Sequence, residues 1–163
     1  MSGARRARAS GSRPSTPFSR TGTRSERSRP LLSKRVLILD DPSPQTEILK
    51  GFFTKFSPRR EYDVETASNG GAAATALRRG RPDLILLDPQ MRGLNGLAFL
   101  RQVRALDRTI PIIAVTGQQA NGAVVEVLNT GVFAYVPKPC EYPHMEHLVA
   151  LVFSEQFNAA GAA

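Results

Sequence analysis

Asp40, Asp41, Asp88, Thr116 and Lys138 are the residues whose types and placement suggest chemistry. Each follows a short apolar run. Val36-Leu37-Ile38-Leu39 leads into Asp40-Asp41, and Leu84-Ile85-Leu86-Leu87 leads into Asp88. Ile110-Pro111-Ile112-Ile113-Ala114-Val115 precedes Thr116, and Val132-Phe133-Ala134-Tyr135-Val136 precedes Pro137-Lys138-Pro139. A charge on the last rung of a buried strand is paired, metal-bound or reactive, because an isolated buried charge is too costly. Three carboxylates brought together repel strongly if all are ionised and unpaired. A hard divalent cation such as Mg²⁺ relieves this, since it takes oxygen ligands and tolerates few protein carboxylates. A lysine and a hydroxyl beside it suit a phosphoryl group, as charge partner and hydrogen-bond donor. Singly, each residue has a plainer reading: an Asp that caps a helix, an Asp-Asp turn before proline, an exposed Lys between prolines. Their joint occurrence at successive strand ends carries the functional one.

Such a set converges only if the runs are parallel strands of one sheet. Leu84 to Leu87 shows no polar alternation, as expected of a strand buried on both faces. Between the runs lie helical patterns. Ser43 can cap a helix that opens on Pro44, with Ile48, Leu49, Phe52, Phe53 and Phe56 on one apolar face, ended by Ser57-Pro58. Tyr62 to Ala67 alternates like an edge strand, and Asn69 or Ser68 then caps an alanine-rich helix that Gly80 stops near Arg79. Gly93 and Gly96 make a loop before a third helix carrying Leu97, Leu100 and Val103. A fourth helix, from about Gln119 to Asn129, is weakened by Gly122, Val124, Val125 and Val127. Pro143 opens a last helix with Met145, Leu148, Val149, Val152 and Phe153. The alternation βαβαβαβαβα predicts an α/β, doubly wound, five-stranded parallel sheet with right-handed crossovers. The five groups then gather at the carboxyl edge, where open sheets of this kind place their ligands.

The 163 residues and 41% apolar content suit one domain. No apolar run reaches the roughly 18–20 residues of a membrane span, and the apolar run of a secretory signal is missing, so a soluble, cytoplasmic protein is expected. The net charge of +8 is unevenly placed: residues 1–30 hold eight Arg against one Glu. Residues 1–33 are expected to be a disordered basic tail, 34–157 the folded domain and 158–163 a flexible C-terminus. The tail reads as solvated, as an organelle transit segment, or as an electrostatic tether to nucleic acid or another anionic surface. Cys140, the single cysteine, excludes an internal disulfide and reads as a packing residue. His144 and His147 read as exposed. Phe153 and Phe157 are expected either to form an apolar strip outside the core, usable for a homodimer, or to fold back.

Leu39-Asp40-Asp41, Leu87-Asp88, Met91-Arg92-Gly93-Leu94-Asn95-Gly96, Val115-Thr116-Gly117, Tyr135 and Lys138-Pro139 together resemble the receiver domain of bacterial two-component response regulators. The match runs from about Arg35 to Phe153, and the layout is similar to the stand-alone chemotaxis (CheY-like) type. The resemblance implies a flavodoxin-like strand order 2-1-3-4-5. It implies that Asp88 is the phosphoacceptor. Asp41, Asp88 and the backbone carbonyl of Gln90 would ligate Mg²⁺, with Asp40 acting largely through water. Lys138 and Thr116 would engage the phosphoryl oxygens, and Tyr135 would relay the change. The implied partners are a sensor histidine kinase or phosphotransfer protein, and a downstream protein met by the face of the fourth helix, fifth strand and fifth helix. The Lys138–Pro139 peptide is expected to be cis. The implied role is a signalling phosphoacceptor with only slow self-hydrolysis, not a turnover enzyme. Pro42, Pro89 and Arg92 depart from the family pattern without touching the five reacting groups. A second reading is an adaptor of the same fold that signals without phosphate and is tethered by its basic tail. A phosphatase of the haloacid dehalogenase type would need an aspartate where Gln90 stands.

Overall fold

The computed structural model describes residues 33–55, 61–117 and 122–154. Its elements follow the predicted alternation: β1 Lys34–Leu39, α1 Pro44–Lys55, β2 Tyr62–Ala67, α2 Gly70–Arg79, β3 Leu84–Leu87, α3 Gly96–Leu106, β4 Ile112–Thr116, α4 Ala123–Asn129, β5 Ala134–Pro137 and α5 Tyr142–Val152. The strands form one parallel sheet in the order β2-β1-β3-β4-β5.

Local chemistry accounts for the element ends. Ser43 Oγ accepts from the Thr46 N–H at 3.3 Å and caps α1. Asn69 Oδ1 accepts from Ala72 N–H at 2.9 Å and Asn95 Oδ1 from Ala98 N–H at 3.0 Å, capping α2 and α3. Pro143 sits in the first turn of α5, where its missing N–H is not needed. Helix α4 has no side-chain cap and is seven residues long. It begins at Ala123 rather than near Gln119; residues 118–121 lie outside the described part. Strand β4 begins at Ile112 rather than Ile110, because Pro111 has no N–H for the ladder, although its carbonyl accepts from Ile85 N–H at 3.0 Å. Strand β5 begins at Ala134 rather than Val132.

Successive residues of each strand point to opposite faces, so the sheet splits the core in two. Leu37, Leu39, Ile85 and Leu87 meet α2, α3 and α4 through Ala76, Leu100 and Val127. Val36, Ile38, Leu84 and Leu86 meet α1 and α5 through Phe52, Phe53, Met145 and Val149. Helices therefore cover both faces, which is why the central strands carry unbroken apolar runs. Ile48, expected on the buried face of α1, is 38% exposed; the helix packs through Leu49, Phe52 and Phe53, with Thr46 also turned inward. Phe153 forms no outer strip. It is buried, with the Tyr62 ring tilted against it at 5.9 Å between centres and the Lys34 ammonium 5.6 Å from its ring centre. Phe56, Ser57, Pro58, Phe157, the basic tail and residues 158–163 lie outside the described residues.

The register fixes what lies at the carboxyl edge. Leu39 pairs with Leu87, Leu87 with Ala114, and Thr116 with Pro137. Asp40, Asp88 and Lys138 each come one residue beyond such a rung.

Candidate functional site

Strand ends bring the acidic groups together. Asp88 N–H donates to the Leu39 carbonyl at 2.8 Å, and Asp40 N–H to the Ala67 carbonyl at 3.2 Å, so both aspartates begin as extensions of the sheet. Lys138 N–H donates to the Thr116 carbonyl at 2.8 Å and brings the lysine to the same edge. The Lys138–Pro139 peptide is cis, as expected. The Lys138 ammonium then spans the gap, donating to Asp40 at 2.9 and 3.0 Å and to Asp88 Oδ2 at 2.8 Å.

Asp40 is buried, at 5% exposure, and its carboxylate is also held by the Thr46 hydroxyl at 3.1 Å. That hydroxyl lies 2.7 Å from the Asp41 carbonyl as well, which ties the first turn of α1 to the acidic pair. Asp41 Oδ2 accepts from the Arg92 N–H at 3.1 Å, and the Arg92 Nε lies 3.8 Å from the same oxygen. Asp88 Oδ1 accepts from the Gln90 N–H at 2.7 Å. Thr116, fully buried at its strand end, donates to the Gln90 side-chain oxygen at 3.3 Å rather than to any carboxylate. Tyr135 is half-buried and packs against the core under α2, α3 and α4. All the residues read as site members except Tyr135 meet at this edge; Tyr135 is set back along β5, opposite Ala114. His144 and His147 are exposed, and Cys140 is half-buried with its thiol pushed up in pKa by that burial and by Glu141.

The loop after Asp88 is held close by small residues. Met91 is buried and anchors it. A Cβ on Gly96 would fall 2.4 Å from Pro89 Cα, and one on Gly93 would fall 2.4 Å from the Ser68 carbonyl. Only glycine permits these approaches. Between this loop and α4 lies a groove of about 680 Å³, lined in part by Gln90, Arg92, Leu94 and Glu126.

Electrostatically, three carboxylates gather at this edge, and the partly buried Lys138 pairs directly with two of them, Asp40 and Asp88. Burial alone would lower the Lys138 pKa, but its hydrogen bonds and charge contacts with Asp88 and Asp40 outweigh that and raise it overall. Lys138 is thus a firm cation and leaves an excess of negative charge. Among the described residues no group of three or more His, Cys, Asp and Glu is gathered to hold a metal by itself. The donor set still fits Mg²⁺, which takes one or two carboxylates and keeps several waters. Oxygen donors, negative excess and partial exposure of Asp41 and Asp88 all match that demand.

The sequence does not single out Thr46, whose place in the first turn of a helix reads as a capping element. Arg92 is expected to touch none of the five reacting groups, and the structure corrects this: its N–H donates to Asp41. Nothing in their spacing points at Asp40 or Asp41.

Comparison with known proteins agrees with this geometry. The family model described as the response regulator receiver domain matches residues 36–150. The DNA-binding response regulator MtrA of Mycolicibacterium smegmatis is 35% identical over 108 residues, 66% of this chain and 45% of MtrA. The chain spans less than half the length of that relative. The signal receiver domain of a signal transduction histidine kinase from Syntrophus aciditrophicus is 31% identical with a TM-score of 0.62, covering 73% of this chain and 89% of that one. The receiver domain of a sensor histidine kinase from Pseudomonas aeruginosa, crystallised with magnesium coordinated in its active-site cleft, is 25% identical with a TM-score of 0.64, covering 75% of this chain and 99% of that one. With its strand order, its edge of carboxylates and lysine, and a family match over most of its folded length, the chain belongs to the receiver-domain family of response regulators.

Proposed function

We propose that the chain accepts a phosphoryl group on Asp88 from a sensor histidine kinase or phosphotransfer protein. The observation that carries this is the Lys138 ammonium held between Asp40 and Asp88, at 2.8 to 3.0 Å. An Asp88 carboxylate oxygen attacks phosphorus. The phosphorus–nitrogen bond of the donor phosphohistidine breaks, and the departing imidazole keeps the electron pair and takes a proton. The product is an acyl phosphate, which water later hydrolyses slowly. The protein is a signalling phosphoacceptor, not a turnover enzyme.

Mg²⁺ bound by Asp41, Asp88 and the Gln90 backbone carbonyl, with Asp40 reached through water, would neutralise charge on the transferring phosphoryl oxygens. Lys138 orients Asp88 before transfer and pairs with a phosphoryl oxygen after it. Thr116 exchanges its weak 3.3 Å bond to Gln90 for a phosphoryl oxygen. Its neighbour across the β4–β5 ladder lies two residues beyond Tyr135, so that move is reported to the α4-β5-α5 face, where a downstream protein would bind. Exposed Val125 and Leu128 on α4 and Leu151 on α5 give that face apolar contacts. A homodimer is compatible with this reading. Nucleic-acid contact would involve residues 1–30 alone. Among the described residues no helix is long and apolar enough to cross a membrane.

Incubation with acetyl phosphate or beryllofluoride, with and without Mg²⁺, tests the proposal by intact mass and NMR. A Mg²⁺-dependent change that disappears in Asp88→Asn is expected. No change in the wild type would leave the phosphate-independent adaptor as the better reading.

A further inference from the structure

One cation at the site remains unused by the mechanism above. Arg92 follows the buried anchor Met91, and its N–H fixes it beside Asp41 at 3.1 Å. Its guanidinium Nε lies 3.8 Å from the same Asp41 oxygen. The bonds of Lys138 go to Asp40 and Asp88. The two cations therefore divide the three carboxylates, and Arg92 stands on the one that Lys138 leaves.

Resting on the reading of Asp41 as a metal ligand, we propose that Arg92 is a tethered counter-charge. It competes with the divalent cation for Asp41 Oδ2 and so sets the metal concentration at which the site fills. A guanidinium and a hydrated metal ion cannot both approach one carboxylate oxygen closely, and their charges repel. The Arg92 side chain is 96% exposed, so it can swing into solvent without leaving a buried group unpaired. The same exposure keeps the competition mild, since an ion pair in water is worth a few-fold in an equilibrium constant. The backbone N–H, by contrast, orients Asp41 whichever side chain is present. The guanidinium therefore tunes affinity while the main chain preserves the ligand's position.

Calorimetric titration of MgCl₂ into the full chain tests this, comparing wild type with Arg92→Gln, Arg92→Ala and Arg92→Lys. All three keep the backbone N–H. The neutral variants are expected to bind Mg²⁺ about two- to fivefold more tightly than wild type. Arg92→Lys should stay near wild type, and the gap should shrink as monovalent salt rises and screens the pair. Neutral variants that bind equally or more weakly would overturn the proposal. A wild type that binds no Mg²⁺ would overturn the ligand reading of Asp41 as well. Binding that is intact but indifferent to Arg92 would overturn only the competition.

Discussion

The two ends of the sheet carry the same residue types and use them in opposite ways. At the amino end, Arg35 is 5% exposed and both of its terminal guanidinium nitrogens are engaged. It donates to the Ala76 carbonyl at 2.7 Å, to the Gly80 carbonyl, and to Glu65 at 2.6 Å. Glu65 also takes Arg79 at 2.7 Å. Asp83 accepts from Arg35 N–H at 2.7 Å, Arg81 pairs with Asp107 at 2.7 Å, and Arg104 donates to the Ile110 and Gly131 carbonyls. Each charge there has its partners within the chain. At the carboxyl end, Asp40, Asp41 and Asp88 outnumber Lys138, and among the described residues the exposed Arg92 is the further cation beside them, leaving room for a cation from outside. A self-satisfied cluster holds the fold, whereas an unbalanced one is kept ready for a ligand. The loss of a partner should therefore cost stability at one end and function at the other.

Asp88→Asn should show the largest effect. Phosphoryl uptake falls to background, because an amide cannot form the acyl phosphate. The asparagine oxygen still accepts from Gln90, and one member of a repelling trio is gone, so folding stability should stay within about 1 kcal/mol of wild type. Urea unfolding that shows a loss of several kcal/mol would mean that the carboxyl end, too, is structural.

Arg35→Met is the mirror experiment. It leaves two carbonyls without their donor and the half-buried Glu65 with half its pairing. A loss of about 3 kcal/mol in urea unfolding is expected. Beryllofluoride uptake per folded molecule should be unchanged. Lost uptake with intact stability would break the division between the ends.

The fold and the main reacting groups were legible in the sequence for the same reason. Buried parallel strands are unbroken apolar runs, so Val36 to Leu39 and Leu84 to Leu87 announce themselves, and a charge at the end of each is conspicuous. The amino end was not legible. Arg35 opens a strand next to Lys34, as a solvated charge would, and only the packing of α2 over β1 buries it. Ile48 misled for a related reason. Helical spacing marks an apolar stripe, but which edge of it touches the sheet depends on how the helix lies, which no local pattern records. Thr46 sits three residues after Ser43 and looks like part of a cap; its second bond, to Asp40, exists only because the first loop folds back over the strand end.

Thr46→Val probes that hidden contact and should give an intermediate effect. It keeps the shape of the side chain and the N–H bonded to Ser43, but takes the hydroxyl away from Asp40 and the Asp41 carbonyl. Supporting hydrogen bonds to ligand carboxylates typically matter about tenfold, so Mg²⁺-dependent phosphoryl uptake should slow by roughly that factor. The stability cost should be about 1 kcal/mol. An unchanged uptake rate would confine Thr46 to the amino end's kind of role, that of holding the fold.

The smallest effects are in pH, and the two ends should fail in opposite directions. Asp107 at the amino end is held down to about 2 from 3.8, chiefly by the Thr109 hydroxyl, with partial burial opposing and Arg81 assisting. A carboxylate whose folded pKa is depressed adds stability that is present above its unfolded value and lost as pH falls through the folded one. The stability gap between wild type and Asp107→Asn should therefore be level above about pH 4 and close between 3.8 and about 2. Lys138 has the reverse sign. Its pKa is raised in the fold, so its contribution is complete below 10.5 and is lost only as pH climbs past that value. The gap between wild type and Lys138→Met should accordingly stay level through neutral pH and narrow only in strong alkali. Urea midpoints for both pairs, followed from acid to alkali, check this. A gap at Lys138 that changes across neutral pH, before strong alkali is reached, or one at Asp107 that persists to pH 2, would show that the two clusters are not held by the contacts assigned to them.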